Sequence, residues 1–225
     1  MYSNAMKTIY FVRHGQSEAN VGAPVFTGEK SVLTEHGREQ ARFIAKRCAK
    51  LPIDLLIAST TIRAQETAEE ISKEIGKEIE VLEMFTERKL PTEILGKPRG
   101  DSKFEEMYSQ WLTAFYQEGL RAGDGENFAD LKSRVNGALK YLAERKESNI
   151  LVVTHGFFLH MTVALVLLGD TLTSDEFTKV ARTVWMDNTG LTKLEYRTAD
   201  EEKRVDRLPY EGWILRVWND HAHLG

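Results

Sequence analysis

The segment Ile9-Tyr10-Phe11-Val12-Arg13-His14-Gly15 carries the most structural information in this chain of 225 residues. Its short apolar run predicts a buried strand. The glycine turns the chain, so Arg13 and His14 stand together at the strand's end, with Ser17 and Asn20 close behind. Arginine offers a planar fork of donors to an anion, and histidine can act as a nucleophile or an acid–base group near neutral pH. The segment therefore predicts an anion site at the end of a strand.

A second segment repeats this pattern much later in the chain. The run Ile150-Leu151-Val152-Val153-Thr154 predicts another buried strand and leads directly into His155-Gly156. Ligands of open α/β sheets collect beyond the carboxyl ends of the strands. We therefore expect both histidines to lie in one site at the carboxyl edge of one sheet.

Strands and helices alternate through the rest of the sequence. The apolar spacing predicts strands at 7–12, 54–58, 78–82 and 150–154, and helices at 34–51, 59–76, 102–115, 129–145 and 157–168. Three further short strands, at 183–186, 191–196 and 213–217, are predicted to form an antiparallel edge, and 201–204 a solvated loop. This alternation predicts a three-layer α/β/α sandwich with a central, mostly parallel sheet.

Polar side chains mark where the predicted helices begin. Thr34 is the expected N-cap of the first helix, and either Ser59 or Thr60 that of the second. The spacing of Ser102 and Glu105 is typical of a capping box and predicts the start of the third helix.

Bulk properties limit the class of protein. The length favours one large α/β domain over 6–225, with 1–5 read as an expression scar or disordered N-terminus. The net charge of -4 argues against a nucleic-acid partner held by overall electrostatics.

The one cysteine, Cys48, excludes an intrachain disulfide and indicates a reducing, cytoplasmic compartment. No signal peptide is evident, and the apolar run 157–168 is too short to span a bilayer, so we expect no membrane association.

The combination of Arg13-His14-Gly15, Asn20, Arg63 and His155-Gly156 resembles the histidine phosphatase superfamily, the clan that includes cofactor-dependent phosphoglycerate mutases. The resemblance covers residues 8 to about 188. The segment from Ser59 to Thr67 is similar to the superfamily's second motif, in which a serine leads into an arginine before a helical run. The resemblance implies a phosphoglycerate mutase-like fold and a small phosphorylated substrate, with a phosphoprotein not excluded.

Each of these residues has an expected role. His14 is the candidate nucleophile, which would carry the phosphoryl group as phosphohistidine. Arg13 and Arg63 would clamp the charge that a phosphoryl transition state spreads over three oxygens. His155, with Gly156 beside it, would donate a hydrogen bond to a phosphoryl oxygen.

Further donors and the acid–base group are less distinctive in the sequence. Ser17 and Asn20 are expected to assist phosphate binding, although hydrogen bonding within the loop is the commoner role of such residues. A leaving alkoxide needs a proton, which a tuned carboxylic acid can supply. The resemblance implies that Glu87 is this donor, with Glu83 and Glu93 as nearby alternatives.

The sequence thus predicts a phosphatase that uses neither metal nor cofactor, since it has no His-x-x-x-His or Cys-x-x-Cys pair. A phosphoglycerate mutase remains an alternative, because Phe26-Thr27-Gly28 resembles part of the mutase loop. A non-catalytic phosphate-binding module is the other alternative. The loops 21–30, 89–103 and 119–127 are expected to line the substrate, but they identify neither the substrate nor the oligomeric state.

Overall fold

The structure is a computed structural model that describes residues 6–117, 119–197 and 212–225. Two predicted features, the N-terminal residues 1–5 and the loop 201–204, lie outside these ranges. The strands are β1 (Lys7–Arg13), β2 (Leu55–Ala58), β3 (Ile79–Val81), β4 (Asn149–Thr154), β5 (Leu191–Arg197) and β6 (Gly212–Asp220). The helices are α1 (Glu35–Cys48), α2 (Ile62–Ile75), α3 (Ser102–Tyr116), α4 (Phe128–Glu144), α5 (Gly156–Leu168) and α6 (Ser174–Thr183).

The six strands form one sheet in the order β3-β2-β4-β1-β5-β6. β1, β2, β3 and β4 are parallel to one another, whereas β5 and β6 add an antiparallel edge beside β1. The predicted mostly parallel sheet and its antiparallel edge are therefore confirmed. In the register of β1 and β4, Arg13 stands opposite Thr154, so the residues that follow them emerge side by side.

Helices cover both faces of the sheet, which confirms the three layers. One apolar cluster joins α1 and α2 to the sheet through residues such as Ile44, Ala68 and Val12. The other joins α4 and α5 to the opposite face, with Val135 and Leu159 among its members. Successive side chains of a strand point to opposite faces of the sheet, so each strand contributes to both apolar clusters.

Two helix starts differ from the prediction. Thr61, not Ser59 or Thr60, is the N-cap residue of α2. Asp101 caps α3 by accepting a hydrogen bond from the Lys103 N–H, so the capping box predicted at Ser102 is wrong by one residue. The Thr61 side chain makes no capping hydrogen bond, whereas the Asp101 carboxylate does, and spacing alone does not distinguish these residues from their neighbours.

The strand predicted at 183–186 is wrong. Thr183 ends the helix α6, which begins at a capping box formed by Thr173 and Glu176. The carbonyls of the following residues accept hydrogen bonds from side chains instead of a neighbouring strand: Val184 pairs with the His160 ring at 2.7 Å, and Met186 with Arg13 at 2.6 Å. Residues 184–186 therefore form a loop, although their apolar and β-branched side chains are typical of a strand.

Cys48 occupies a core position at the end of α1. Its side chain is fully buried, and burial raises the pKa of the thiol to about 12. Within the described ranges, the structure contains no helix that combines the length and apolar character needed to cross a membrane.

Candidate active site

The carboxyl ends of β1 and β4 bring the two histidines together. The ring centroids of His14 and His155 lie 5.1 Å apart, and both side chains are buried. Arg63 joins them from the first turn of α2, which follows the neighbouring strand β2. The expected meeting of these three residues at one sheet edge is therefore what the structure contains.

The His14 ring is anchored at one nitrogen by a backbone carbonyl and is contacted at the other by Arg63. Its Nδ1 lies 2.7 Å from the Gly15 carbonyl oxygen, which can only accept, so Nδ1 carries the proton. Arg63 Nε donates to Nε2 at 3.1 Å, so Nε2 holds the lone pair. Burial, reinforced by the charges of Arg63 and Arg13, places the pKa of His14 well below its usual value. The ring is thus a neutral base with its lone pair facing a guanidinium.

Arg63 is the cation that contacts both histidines. Besides His14, its guanidinium contacts the Gly28 carbonyl at 2.9 Å and Nδ1 of His155 at 3.3 Å. All three partners are neutral acceptors. A phosphoryl oxygen carries charge and is a stronger acceptor, so it can replace any of them.

Arg13 holds an unused donor inside the site. One amino group donates to the Met186 carbonyl at 2.6 Å, while the buried Nε has no hydrogen-bond partner among the described residues. A Cβ on Gly156 would lie 3.7 Å from this Nε, so the glycine keeps side-chain atoms away from it. A buried donor without a partner is uncommon, and an anion would satisfy it.

His155 is anchored by the nitrogen opposite to the one used by His14. Its Nε2 lies 2.6 Å from Ser59 Oγ and 3.3 Å from Thr61 Oγ1. Because Arg63 can only donate, Nδ1 is the acceptor and the proton is on Nε2. Burial, followed by the charge of Arg63, lowers the pKa of His155 well below its usual value. Sequence reasoning missed Ser59 and Thr61 as histidine partners.

Glu87 is the carboxylate that faces this edge. Its Oε2 accepts a hydrogen bond from the Phe157 N–H at the start of α5, at 3.2 Å, and its Oε1 accepts from the Arg88 N–H at 3.0 Å. A Cβ on Gly156 would lie 3.9 Å from Oε2, so Glu87 borders the same space as Arg13. The site thus has a carboxylate at the amino end of a helix, next to the arginine.

The alternative carboxylates lie elsewhere. Glu83 is exposed and pairs with Lys89 at 2.5 Å, while Glu93 is exposed in the next turn of the loop. Their contacts give them no part in the cluster around the histidines.

Arg134 of α4 fixes the loop that carries Glu87. Its guanidinium donates to the carbonyls of Met84 and Thr86 at 2.9 and 2.8 Å, and to that of Glu87 at 3.3 Å. It also pairs with Glu126 at 2.7 Å in a largely buried ion pair. Sequence reasoning missed this residue, because nothing in its own helix marks it as different from a surface arginine.

Ser17 and Asn20 bond to each other. The Asn20 amide oxygen accepts from the backbone N–H and hydroxyl of Ser17, at 3.0 and 3.1 Å. Asn188, which the sequence analysis did not identify, donates to the same oxygen at 3.3 Å and to the His14 carbonyl at 2.9 Å. The Ser17 hydroxyl is therefore engaged within the loop, and the exposed Asn20 retains its amide nitrogen as a donor.

Two glycines let the start of α1 pack against the Arg13-His14-Gly15 segment. A Cβ on Gly15 would lie 2.4 Å from the Gly37 carbonyl oxygen, and a Cβ on Gly37 would lie 1.9 Å from the Gln16 carbonyl oxygen. Neither distance is compatible with a side chain. Gly15 also donates its N–H to Thr67 Oγ1 at 3.1 Å, which ties the motif to α2.

Two of the loops expected to line the substrate are hydrogen-bonded to each other. Phe26 and Lys97 are joined at 3.0 Å, Gly96 and Phe26 at 2.9 Å, and Arg99 and Pro24 at 2.8 Å, all through backbone groups.

Across the described part of the chain, no three His, Cys, Asp or Glu side chains are grouped so that they could hold a metal ion.

Comparison with known proteins assigns the chain to a family. The model of the histidine phosphatase superfamily, branch 1, matches residues 9–208. A protein of Enterobacter sp. (strain 638) named "Probable phosphoglycerate mutase GpmB" is 30% identical over 224 residues, which cover 97% of this chain and 95% of that protein.

Solved structures agree with this assignment at the level of fold. The alpha-ribazole phosphatase from Shigella flexneri superimposes with a TM-score of 0.75 at 22% identity, covering 96% of this chain and 97% of that one. A mycobacterial glucosyl-3-phosphoglycerate phosphatase has a TM-score of 0.70 at 22% identity and covers 95% of this chain and 99% of that one. The chain belongs to the histidine phosphatase superfamily, branch 1.

Proposed function

We propose that this protein hydrolyses small phosphomonoesters through a phosphohistidine on His14, without a metal ion. The observation that carries the proposal is the state of the His14 ring, a buried neutral imidazole whose Nε2 lone pair faces the guanidinium of Arg63. The unpartnered Nε of Arg13 supplies a second donor for the same anion. A nucleophile beside two cations is the arrangement that phosphoryl transfer needs.

In the first step, Arg63 exchanges its contacts with His14, Gly28 and His155 for oxygens of the incoming phosphoryl group. Nε2 of His14 then forms a bond to phosphorus while the bond from phosphorus to the leaving oxygen breaks. Glu87, which enters this step in its protonated form, gives its proton to that oxygen, which leaves as an alcohol. The Gly15 carbonyl stabilises the positive charge on His14 through the Nδ1 proton.

In the second step, water attacks phosphorus and the bond to Nε2 breaks. Glu87, now ionised, accepts the proton of the water, and His14 returns to its neutral form. The products are inorganic phosphate and the alcohol, so the cycle consumes one water molecule and leaves the protein unchanged. Arg13 and Arg63 hold the equatorial oxygens through both steps.

His155 needs its proton on Nδ1 in order to donate to the phosphoryl group. In the structure, Nδ1 accepts from Arg63 and the proton is on Nε2. A hydroxyl can either donate or accept, so Ser59 can stabilise either tautomer of the ring. Departure of Arg63 to the substrate therefore frees Nδ1, and the proton can move to the nitrogen that faces the phosphoryl oxygens.

Trapping of the intermediate tests the proposal. Rapid quench with a labelled phosphomonoester should give an acid-labile, base-stable phosphoprotein, and His14→Ala should not form it. His36→Ala, on the exposed face of α1, is the matched histidine control and should form it normally. Label on His155, or normal labelling of His14→Ala, would contradict the assignment.

The relatives named as mutases make phosphoglycerate mutase the second candidate. Incubation with phosphoglycerate and its bisphosphate primer distinguishes the two activities, because a mutase returns an isomer where a phosphatase returns inorganic phosphate. We expect phosphate release, and we expect it to persist in excess chelator. Activity that disappears with the chelator and returns only with a divalent metal would overturn the metal-free mechanism.

A further inference from the structure

The loop 186–190 precedes β5 and contacts the Arg13-His14-Gly15 segment. Asn188 contacts the His14 carbonyl, and the Thr189 N–H donates to the Arg13 carbonyl at 2.9 Å. The Arg13 N–H donates back to the Gly190 carbonyl at 3.3 Å. The position of the His14 backbone therefore depends on the conformation of this loop.

Thr189 is held in a conformation that a threonine rarely adopts. Its φ angle is 59°, in the left-handed region, where a β-branched side chain is strained. The side chain is fully buried, and its hydroxyl donates to the Asn188 carbonyl at 2.7 Å. A strained residue stays in place only where its surroundings fix it, so the partners of Thr189 matter.

The remaining partner of the Thr189 hydroxyl comes from the C-terminal turn Ala222–Leu224. His223 Nε2 lies 3.0 Å from Thr189 Oγ1, and Arg47 of α1 approaches His223 Nδ1 at 3.4 Å. Arginine can only donate, so Nδ1 accepts and the proton on Nε2 points at Thr189. Arg47 also pairs with Asp220, which secures the turn against α1.

We propose that His223 is a positioning residue for the nucleophile. A continuous series of hydrogen bonds runs from Arg47 through His223 and Thr189 to the Asn188 carbonyl, and Asn188 and Thr189 in turn contact His14 and Arg13. His223 touches no reacting atom. Its role is to hold the loop 186–190 in the conformation that positions the His14 ring. The effect of His223 on catalysis rests on the proposed function, whereas its effect on the loop conformation does not.

The test compares His223→Ala with His223→Gln, whose amide nitrogen can reach Thr189 as Nε2 does. His223→Ala should slow single-turnover phosphorylation of His14 about tenfold, the scale expected when a reacting group is displaced by a fraction of an ångström. His223→Gln should restore most of that rate, and the exposed control His36→Ala should not change it. His223→Ala should also speed amide hydrogen exchange at Thr189.

A double-mutant cycle checks the route. Glycine adopts the left-handed conformation without strain and lacks the hydroxyl, so in a Thr189→Gly background the further change His223→Ala should have little effect. The proposal is overturned if His223→Ala lowers the melting temperature but leaves both the phosphorylation rate and Thr189 exchange unchanged, or if its full effect persists in Thr189→Gly. Should the wild type form no phosphoenzyme, the proposed function fails, and the exchange measurement still decides the role of His223.

Discussion

His14 at the end of β1 and His155 at the end of β4 share a motif, a sheet edge and a buried environment that lowers the pKa of both rings. They differ in the nitrogen that is anchored. His14 is held at Nδ1 by the backbone carbonyl of Gly15, whereas His155 is held at Nε2 by the hydroxyl of Ser59.

The anchoring atom decides what each ring can do. A carbonyl only accepts, so it fixes the His14 proton on Nδ1 and keeps the lone pair on Nε2. A hydroxyl accepts or donates, so the His155 proton can sit on either nitrogen. A fixed lone pair suits a nucleophile, and an adjustable proton suits a group that first accepts from an arginine and later donates to a phosphoryl oxygen.

Removal of each ring is the largest test of this difference. We expect His14→Ala to lower turnover roughly 10⁴-fold or more and to abolish phosphoenzyme, because no other group supplies the nucleophile. His155→Ala should lower turnover about 100-fold, the usual cost of one charge-stabilising donor, and should still form phosphoenzyme. Single-turnover labelling separates the two outcomes. The reverse pattern would exchange the two roles.

Substitution of Glu87 tests the β4 side of the site, where the carboxylate rests on the start of α5. Glu87→Gln keeps the size and removes the proton donor, so hydrolysis of an alkyl phosphate should fall by about 100-fold or more. An aryl phosphate with an acidic leaving group should be affected less in the first step. Steady-state rates on both substrates measure this difference.

Glu83→Gln and Glu93→Gln are the matched controls, since both side chains are exposed. Neither should make the rate depend on the leaving group. If one of them does so while Glu87→Gln does not, the acid is misassigned.

Removal of the hydroxyl that anchors His155 sharpens the comparison further. Ser59→Ala should slow phosphoenzyme formation roughly fivefold, which corresponds to the loss of about 1 kcal/mol of hydrogen bonding while the longer contact from Thr61 remains. Ser72→Ala is the control, because its hydroxyl donates to the Lys77 carbonyl on the exposed side of α2. Equal rates in the two variants would remove Ser59 from the mechanism.

Acid sensitivity tests what the two rings share, and its effect is on stability instead of turnover. Because both rings are neutral when buried, the unfolded chain takes up protons below a pH of about 6.5 that the folded chain does not. Stability should therefore be independent of these groups above that pH and fall as pH decreases, by up to about 1.4 kcal/mol per pH unit for each ring.

Urea midpoints measured between pH 7.5 and 5.5 test this. The double variant His14→Asn/His155→Asn should show a shallower decline than the wild type. His36→Ala, an exposed histidine, should leave the slope unchanged. An unaltered slope in the double variant would mean that the rings are protonated in the folded state.

Local patterns were sufficient to predict most of the fold. The apolar runs at β1 and β4 are each followed within three residues by a histidine and a glycine, and the helix α1 has a hydroxyl cap followed by a regular apolar stripe. The helix α6 was missed because its apolar face is short and the residues after it are β-branched and aromatic, a composition more typical of a strand.

The site was predicted less evenly. His14, His155 and Arg63 follow strands directly, so their meeting follows from sheet topology. Asn188 and His223 depend on the antiparallel edge strands, whose register the sequence does not specify. Ser59 was read as a helix cap because a hydroxyl before a helix usually is one, and its histidine partner, 96 residues away, is not visible locally.

The contact between Gly15 and Gly37 has a consequence for variation in this protein. Position 37 lies outside the Arg13-His14-Gly15 segment, on α1, yet any side chain there would displace the Gln16 carbonyl, two residues from His14. In a systematic mutational scan, Gly37 should tolerate as little change as His14, the proposed nucleophile. Insertions or deletions between the two glycines should be accepted only where they leave this crossing intact, so the loop can diversify while its two ends stay fixed.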